Sequence, residues 1–551
     1  MKTFILTALL FCAITTRATN YYFSAISGDD SRTTLQAQNP ATPWKTLSKL
    51  NSFFSTLNPG DSVLLKRNET FYGSITTTKS GVSGNPIVIG SYGKGNKPVI
   101  TSLVTLDNWV SKGNGIYESY NSAIDASLNM VLLNGAEQQI GRYPNTDAPI
   151  GGYLYFESHS GTTSITDNEL TSSTNWTGAE VVIRQRRWIL DRDTILSHSG
   201  TTITHTAISG TPYDHYGYFI QNHIKTLDKL GEWYFNPSTK KLSVYFGAYS
   251  PSSYLIQATT LTDLIYTYKS AYIVFDNLTV KGANANGFNI YAGSNVSIKN
   301  CDVLFSGANG IKVWARHNDF QIEGSIVSNS NNNGIDLGYG TNAVIRNNKI
   351  INTSLFGGMG ASGDGNGIAL NRVGDYSIVE FNEIRNTGYN GLTFAGDYVT
   401  VKNNYIDSFC IVKDDGAGIY TYGGTANISR TGRKIIGNIV SNGVGAGNGT
   451  DNVKQQSAHG IYIDGNASGV EISNNTVLNS NRGLYLHSCR EIVTKNNTFY
   501  NNLVQIYMLQ ESYLAPLRDN VINNNIAFSK IPSQPALSVI TNANDIGLFG
   551  T

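Results

Sequence analysis

A short phrase, a small residue followed by apolar–any–apolar, recurs through the C-terminal half of the chain and constrains its fold more than any other feature. It runs Gly287-Phe288-Asn289-Ile290, Gly310-Ile311-Lys312-Val313, Gly334-Ile335-Asp336-Leu337, Gly367-Ile368-Ala369-Leu370 and Gly391-Leu392-Thr393-Phe394. It continues as Gly418-Ile419-Tyr420-Thr421, Gly460-Ile461-Tyr462-Ile463, Gly483-Leu484-Tyr485-Leu486 and Gln505-Ile506-Tyr507-Met508. Successive spacings are 23, 24, 33, 24, 27, 42, 23 and 22 residues, a base period of 22–24 with three enlarged units. A second phrase follows about fourteen residues later in most units and ends in paired asparagines, as in Ile345-Arg346-Asn347-Asn348, Val401-Lys402-Asn403-Asn404 and Ile472-Ser473-Asn474-Asn475. Strands this short cannot bury an apolar face alone, whereas stacked coils in one register share a continuous core. The repeat therefore predicts an all-β, right-handed parallel β-helix, with the asparagines as an internal ladder from coil to coil.

The rest of the chain is divided by where the period fails. Residues 1–18 read as a signal peptide: Lys2 supplies charge, Phe4 to Ile14 an apolar run too short to span a bilayer, and Thr16-Arg17-Ala18 a cleavage site. A lipoprotein anchor through Cys12 is disfavoured by the bulky Phe11 before it. Residues 19–102 hold a short amphipathic helix near Pro43 to Leu50 that would cap the open end of the β-helix, followed by its first coils. Residues 103–258 lose the period but stay rich in β-branched and aromatic residues, and are expected to form an inserted, sandwich-like β domain. The main β-helix occupies 259–551.

Composition agrees. Charged residues are only 14%, against roughly a quarter in an ordinary globular chain, and glycine (56) and tyrosine (32) fill the deficit. The net charge of +1 becomes −1 once Lys2 and Arg17 leave, which excludes the basic footprint of a nucleic-acid binder. No membrane partner is expected, and the chain is expected to act as a secreted, periplasmic or extracellular monomer. Cys301, Cys410 and Cys489 remain after cleavage; an odd trio points to buried thiols rather than a disulfide framework.

The register also predicts which side chains face out. Residues two and four after each lead position alternate away from the core. Three consecutive coils then present Tyr422, Asp464 and His487 in one column beside Tyr420, Tyr462 and Tyr485 in another. Aromatic rings around a carboxylate suit a sugar, with flat apolar faces and an acceptor for hydroxyl groups. The enlarged coils add residues before Gly367, Gly418 and Gly460, all entering the same strand from one side, so their loops should wall a groove. Asp364 and Asp415 stand three residues before their lead glycines, and His459 lies one before Gly460. Paired carboxylates along such a groove fit glycosidic cleavage, one protonating the leaving oxygen and the other acting as nucleophile or activating water. Each aspartate could instead be a turn residue bonding local backbone. No cofactor is required, though the Asp-bearing turns could hold Ca2+. Two rival readings share the scaffold. A polysaccharide lyase would recruit bases from Arg372, Lys402, Lys413, His459 and His487, and a non-catalytic glycan-binding protein would need none.

These residues resemble secreted β-helix glycoside hydrolases, particularly glycoside hydrolase families 120 and 141. The resemblance rests on Pro59-Gly60-Asp61-Ser62-Val63-Leu64-Leu65-Lys66-Arg67 with Gly84-Asn85-Pro86-Ile87, on Arg142-Tyr143-Pro144-Asn145, and on Gly231-Glu232-Trp233-Tyr234. It rests more specifically on Asp415-Gly416-Ala417-Gly418-Ile419-Tyr420 and His459-Gly460-Ile461-Tyr462-Ile463-Asp464. It implies hydrolysis of a poly- or oligosaccharide, with Asp415 and Asp464 as the acid/base and nucleophile pair in an order it does not fix. Asp364 is an alternative to one of them.

Overall fold

A computed structural model describes residues 18–170, 174–371, 374–424, 428–454 and 456–542. The expected leader up to Arg17, with Cys12, and also Arg372, lie outside the described residues. From Asp263 onward the chain winds through coils of up to three short strands, each pairing in parallel with its counterpart one coil away. One typical coil has an entry strand Gly416–Tyr422, a middle strand Arg433–Ile436 and an exit strand Ile439–Gly443. The next has Ala458–Asp464, Ser468–Ser473 and Thr476–Leu478. Entry and middle strands belong to one 24-stranded sheet, and exit strands form a 12-stranded sheet. The apolar–any–apolar phrase is the entry strand and the asparagine phrase the middle one. The third strand, directly after the asparagines, was not separately legible.

The alternation follows the core. Ile419, Ile461 and Leu484 stack inward at 0% exposure, each contributing roughly 1.5–3 kcal/mol on burial. The lead glycine is needed where the chain turns into the entry strand. A Cβ on Gly460 would stand 2.1 Å from Val477 and 2.6 Å from the Gly483 carbonyl. The last residue of this phrase, the second asparagine of a pair in most coils and a single asparagine after Phe381 and Gly437, forms the expected ladder: Asn348, Asn382, Asn404, Asn438, Asn475 and Asn497 each donate an amide to the next carbonyl oxygen at 2.9–3.0 Å, ending at Asn525. The first asparagine turns the chain through left-handed backbone, with φ of 55° at Asn347 and 54° at Asn403, a region asparagine tolerates.

At the N-terminal end, helix Leu47–Phe53 covers the first coils with Leu47 and Leu50, and the Thr46 hydroxyl caps it by accepting from the Lys49 amide. Strand Asn20–Phe23 pairs with Ser62–Lys66, and that strand with Ile87–Tyr92. The insertion departs and returns at one point of the stack: Val99–Thr101 pairs with Thr279–Ala283, and Ile75–Thr77 with Asp263–Tyr268. It differs from a two-layer sandwich, because three antiparallel sheets build it. Strand Leu103–Leu106 pairs with Ile256–Thr259 at its base. A second sheet carries Trp233–Asn236, and the largest contains the long hairpin Glu180–Arg186 and Ile189–Ser199. Two larger cores result, one around Trp233 and Phe246, the other around Phe156, Trp176 and Tyr218, with smaller clusters around Met130 and Phe219. Cys301, Cys410 and Cys489 are buried free thiols. Among the described residues no helix is long and apolar enough to cross a membrane.

Candidate active site

The long hairpin of the insertion leans over the entry face. Its tip carries Arg187 and Trp188, and Arg187 is held by the enlarged loop before Gly460. Arg187 forks onto the Asp451 carboxylate at 3.1 and 3.2 Å, Tyr216 donates to the same group at 2.6 Å, and Arg184 donates to the Val412 and Ala446 carbonyls at 2.7 Å. The resulting pocket of ≈ 500 Å³ is lined by Trp188, Tyr389, Asp415, Tyr420, Tyr422, Tyr462, Asp464, Gly465, His487, Tyr513 and Leu514.

Asp464 closes the strand Ala458–Asp464 and faces out beside Tyr422, its register partner. Its carboxylate accepts from the Tyr420 hydroxyl at 2.6 Å, the His487 Nδ1 at 2.8 Å and the Gly465 amide at 2.7 Å. Burial opposes its charge, but the bonds and charge from His487, with those from Tyr420 and Gly465, outweigh burial and hold it below the usual carboxylate range. Asp415 sits at the corner before Gly416–Tyr422 with φ of 55°. Tyr389 pins that corner by donating to the Asp415 carbonyl at 2.9 Å. Burial first, then the neighbouring Asp464 anion, pushes the Asp415 carboxyl up to about 6, against the opposing pull of Arg187 and Arg482. Two carboxyl groups in one pocket are thus driven apart in acidity, the pattern that separates an acid from an anion.

The column of tyrosines is only partly what the alternation predicts. Tyr420, Tyr422, Tyr462 and His487 line the pocket. Tyr485 and His459 do not. Tyr485 lies stacked against Tyr462 (4.3 Å between centroids, 11° between planes) and is 5% exposed. His459 is wholly buried between the edges of Tyr462 and Tyr485, 3.9 Å from the Asp415 carboxylate and 3.3 Å from the Arg482 guanidinium. Burial, with Arg482 and His487 nearby, keeps it neutral. Both residues support the pocket from beneath, because the neighbouring rings close over them.

Asp364 stands outside the pocket. Its carboxylate accepts from Asn332, and its carbonyl holds the Lys413 ammonium. The enlarged coil Met359 to Asn366 anchors the insertion instead of walling a groove: Asn129 donates to the Met359 carbonyl and Gln221 to that of Gly358. Asp414 is likewise structural, accepting from the Ser457 amide and the Asn452 side chain. Among the described residues no cluster of three or more His, Cys, Asp or Glu side chains is arranged to hold a metal ion.

Sequence reasoning missed Trp188, Tyr389, Tyr513 and Leu514, which reach the pocket from other coils and loops, and Arg482 below it. A signal for Arg482 was present. The position before the lead glycine is asparagine in five coils (Asn286, Asn309, Asn333, Asn366, Asn390) and then changes to Ala417, His459 and Arg482. Side-chain amides link these coils, except that Asn309 accepts from the Asn332 side chain and from the Asn333 backbone. This ladder ends where the Ala417 amide caps Asn390 at 2.7 Å, and the coils beyond it carry the site.

The chain belongs to the right-handed β-helix family: the model named "Right handed beta helix region" matches residues 263–435 and 366–544, together just over half of the chain. Within that class it is similar to carbohydrate-active members. A stretch of 92 residues is 39% identical to the lacto-N-biosidase of Bifidobacterium longum subsp. longum, covering 16% of this chain and 6% of that protein. A solved structure described as a glycoside hydrolase superposes with a TM-score of 0.63 at 13% identity, over 94% of this chain and 98% of the other. The GH136 lacto-N-biosidase from Eubacterium ramulus aligns over 95% of this chain and 68% of its own at 13% identity, with a TM-score of 0.38.

Proposed function

We propose that the protein is a glycoside hydrolase acting on a poly- or oligosaccharide, with Asp415 as general acid and Asp464 as the ionised carboxylate that acts as nucleophile or water-activating base. The observation that carries this is the pair itself: two aspartates lining one aromatic pocket, one raised to about 6 and the other held below its usual range. Glycosidic cleavage asks for that division, a proton for the leaving oxygen and a negative charge beside the developing oxocarbenium ion. Tyr420 and His487 fix the orientation of Asp464, and the exposed rings of Trp188 and Tyr422 are placed to meet a sugar. The shared fold with a glycoside hydrolase and the short match to a lacto-N-biosidase support the same reading. The leader expected at residues 1–18 would deliver such an enzyme to glycans outside the cell.

A lyase needs a cation or arginine to neutralise an acidic sugar, with a base beside it. The pocket lining holds two acids and no lysine or arginine. The deciding experiment is reducing-end release from a panel of polysaccharides and aryl glycosides by the parent, Asp415→Asn and Asp464→Asn proteins. Release by the parent alone is expected. An unsaturated, ultraviolet-absorbing product would instead establish elimination, and undiminished release by both variants would remove the carboxylate pair from the chemistry.

A further inference from the structure

The entry face carries a second group of aromatic side chains, several coils before the pocket. Tyr268, Tyr291 and Trp314 occupy the same outward position of three successive entry strands. Tyr268 and Tyr291 are stacked at 5.3 Å with planes 5° apart, and Trp314 meets Tyr291 at 4.4 Å edge to face. Tyr268 is 50% and Trp314 39% exposed. The indole is not free to turn away: its Nε1 donates to Asn289 Oδ1 at 2.7 Å, and Asn289 donates in turn to Asp263 at 2.7 Å. Strand propensity alone explains single tyrosines on a β surface. It does not explain an outward tryptophan locked by a polar relay, which is how a binding platform is preorganised.

The position of this platform relative to the pocket follows from the register. Trp314 is followed in its column by Gly338, Asn371, Ala395, Tyr422 and Asp464. Five steps at a strand spacing of about 4.8 Å put Trp314 roughly 24 Å from Asp464. The three residues between the platform and Tyr422 are small, so the path is low. At the other end the column is obstructed. The loop after Gln510 folds back over the later coils, with the Glu511 amide on Ser488 Oγ and the Ala515 amide on Asn466 Oδ1, and it places Tyr513 and Leu514 in the pocket wall. Along this column, among the described residues, a chain bound at Asp464 has its course toward Ala395, Gly338 and Trp314.

We propose that Tyr268, Tyr291 and Trp314 form a remote binding platform for the same neutral glycan chain whose other end occupies the pocket of Asp415 and Asp464. This rests on the hydrolase reading and adds to it a substrate class: a chain of several sugars, lying along the column of coils. The rings stand against one another along the column, so it is their exposed outer edges, with the Lys269 and Lys312 ammonium groups beside them, that recur at each coil step, a step close to the rise of one residue in an extended glycan.

The test uses the full chain carrying Asp415→Asn, so that bound polymer is not consumed, in affinity electrophoresis with arabinoxylan, mixed-linkage β-glucan and galactan. At least one polymer is expected to retard it. Adding Tyr291→Ala and Trp314→Ala together should weaken that retardation at least tenfold. Gly338→Arg should do the same by blocking the path; a Cβ there meets nothing closer than 3.6 Å, so the backbone accepts it. In the otherwise unaltered enzyme, both changes should lower kcat/KM on the polymer about tenfold and leave a short aryl glycoside within twofold. Retardation unchanged by either substitution overturns the platform, as does absence of retardation by all three polymers. Retention of polygalacturonate alone, lost at high salt, also overturns it, in favour of binding by Lys269 and Lys312. Polymer cleavage that ignores both substitutions leaves the hydrolase standing without the platform. Retardation that depends on Trp314 in a parent that cleaves nothing leaves the platform standing without the hydrolase.

Discussion

The Asp415 carboxyl binds its proton more tightly in the folded protein than in the unfolded chain, because burial and the Asp464 anion both oppose its ionisation. As the proposed general acid it would work only while protonated, so kcat/KM should decline as pH rises through about 6, with the acid limb set by protonation of Asp464. A pH–rate profile checks this. The same shift bears on stability. The raised native value means that the unfolded state releases this proton first, so stability falls between the unfolded carboxyl value and about 6 and stays lower above it. Asp415→Asn removes the charge: it should abolish turnover and yet stabilise the fold at pH 7, on the order of 2–3 kcal/mol and not at pH 4. Thermal melts at the two pH values measure it. Tyr420→Phe deletes one donor to Asp464. It should move the acid limb of the profile upward and reduce kcat several-fold while leaving KM nearly unchanged.

Among the elements, the asparagine ladder shows how a polar row can sit inside a β-helix. Asn438 accepts from the Asn404 amide and backbone and donates to Asn475 Oδ1 and the Val401 carbonyl. Replacing it by leucine leaves buried groups on two neighbouring coils unpaired, at about 1–3 kcal/mol each. The melting temperature should therefore drop, with faster amide exchange confined to the adjoining turns. Asn525 lies at the last, partly exposed rung, and the same substitution there should cost less. The ladder and the inward positions of each entry strand were readable from spacing because each coil repeats the same local problem. The support beneath the pocket was not. Tyr485 obeys the outward alternation, yet Tyr462 of the neighbouring coil stacks over it, and His459, one residue before its lead glycine and off the outward positions, lies between Tyr462 and Tyr485.

For the molecule as a whole, the insertion completes the site. Arg187 ties its hairpin to Asp451 on the enlarged loop and also lowers the Asp415 carboxyl electrostatically. Arg187→Ala should therefore raise KM, loosen residues 446–452 in hydrogen exchange, and move the basic limb of the pH profile to higher pH. A purely structural role would leave that limb in place.

The repeat by itself determined the coil, its period, the inward and outward columns and the asparagine rungs, since each depends on spacing within a strand of alternating side chains, and it offered Asp364, Asp415 and Asp464 together as candidates. Asp364, at the same offset from its lead glycine as Asp415, shows the limit of that reading. Tertiary structure alone decided that Asp364 serves to hold Lys413, that the loop Met359 to Asn366 docks the insertion, and that Trp188, Tyr389, Tyr513 and Leu514 enclose the carboxylates. The physical reason is that loops and inserted hairpins have no period. Where they come to rest depends on contacts with distant coils, and the acidity of Asp415 and Asp464 depends on what those contacts bury.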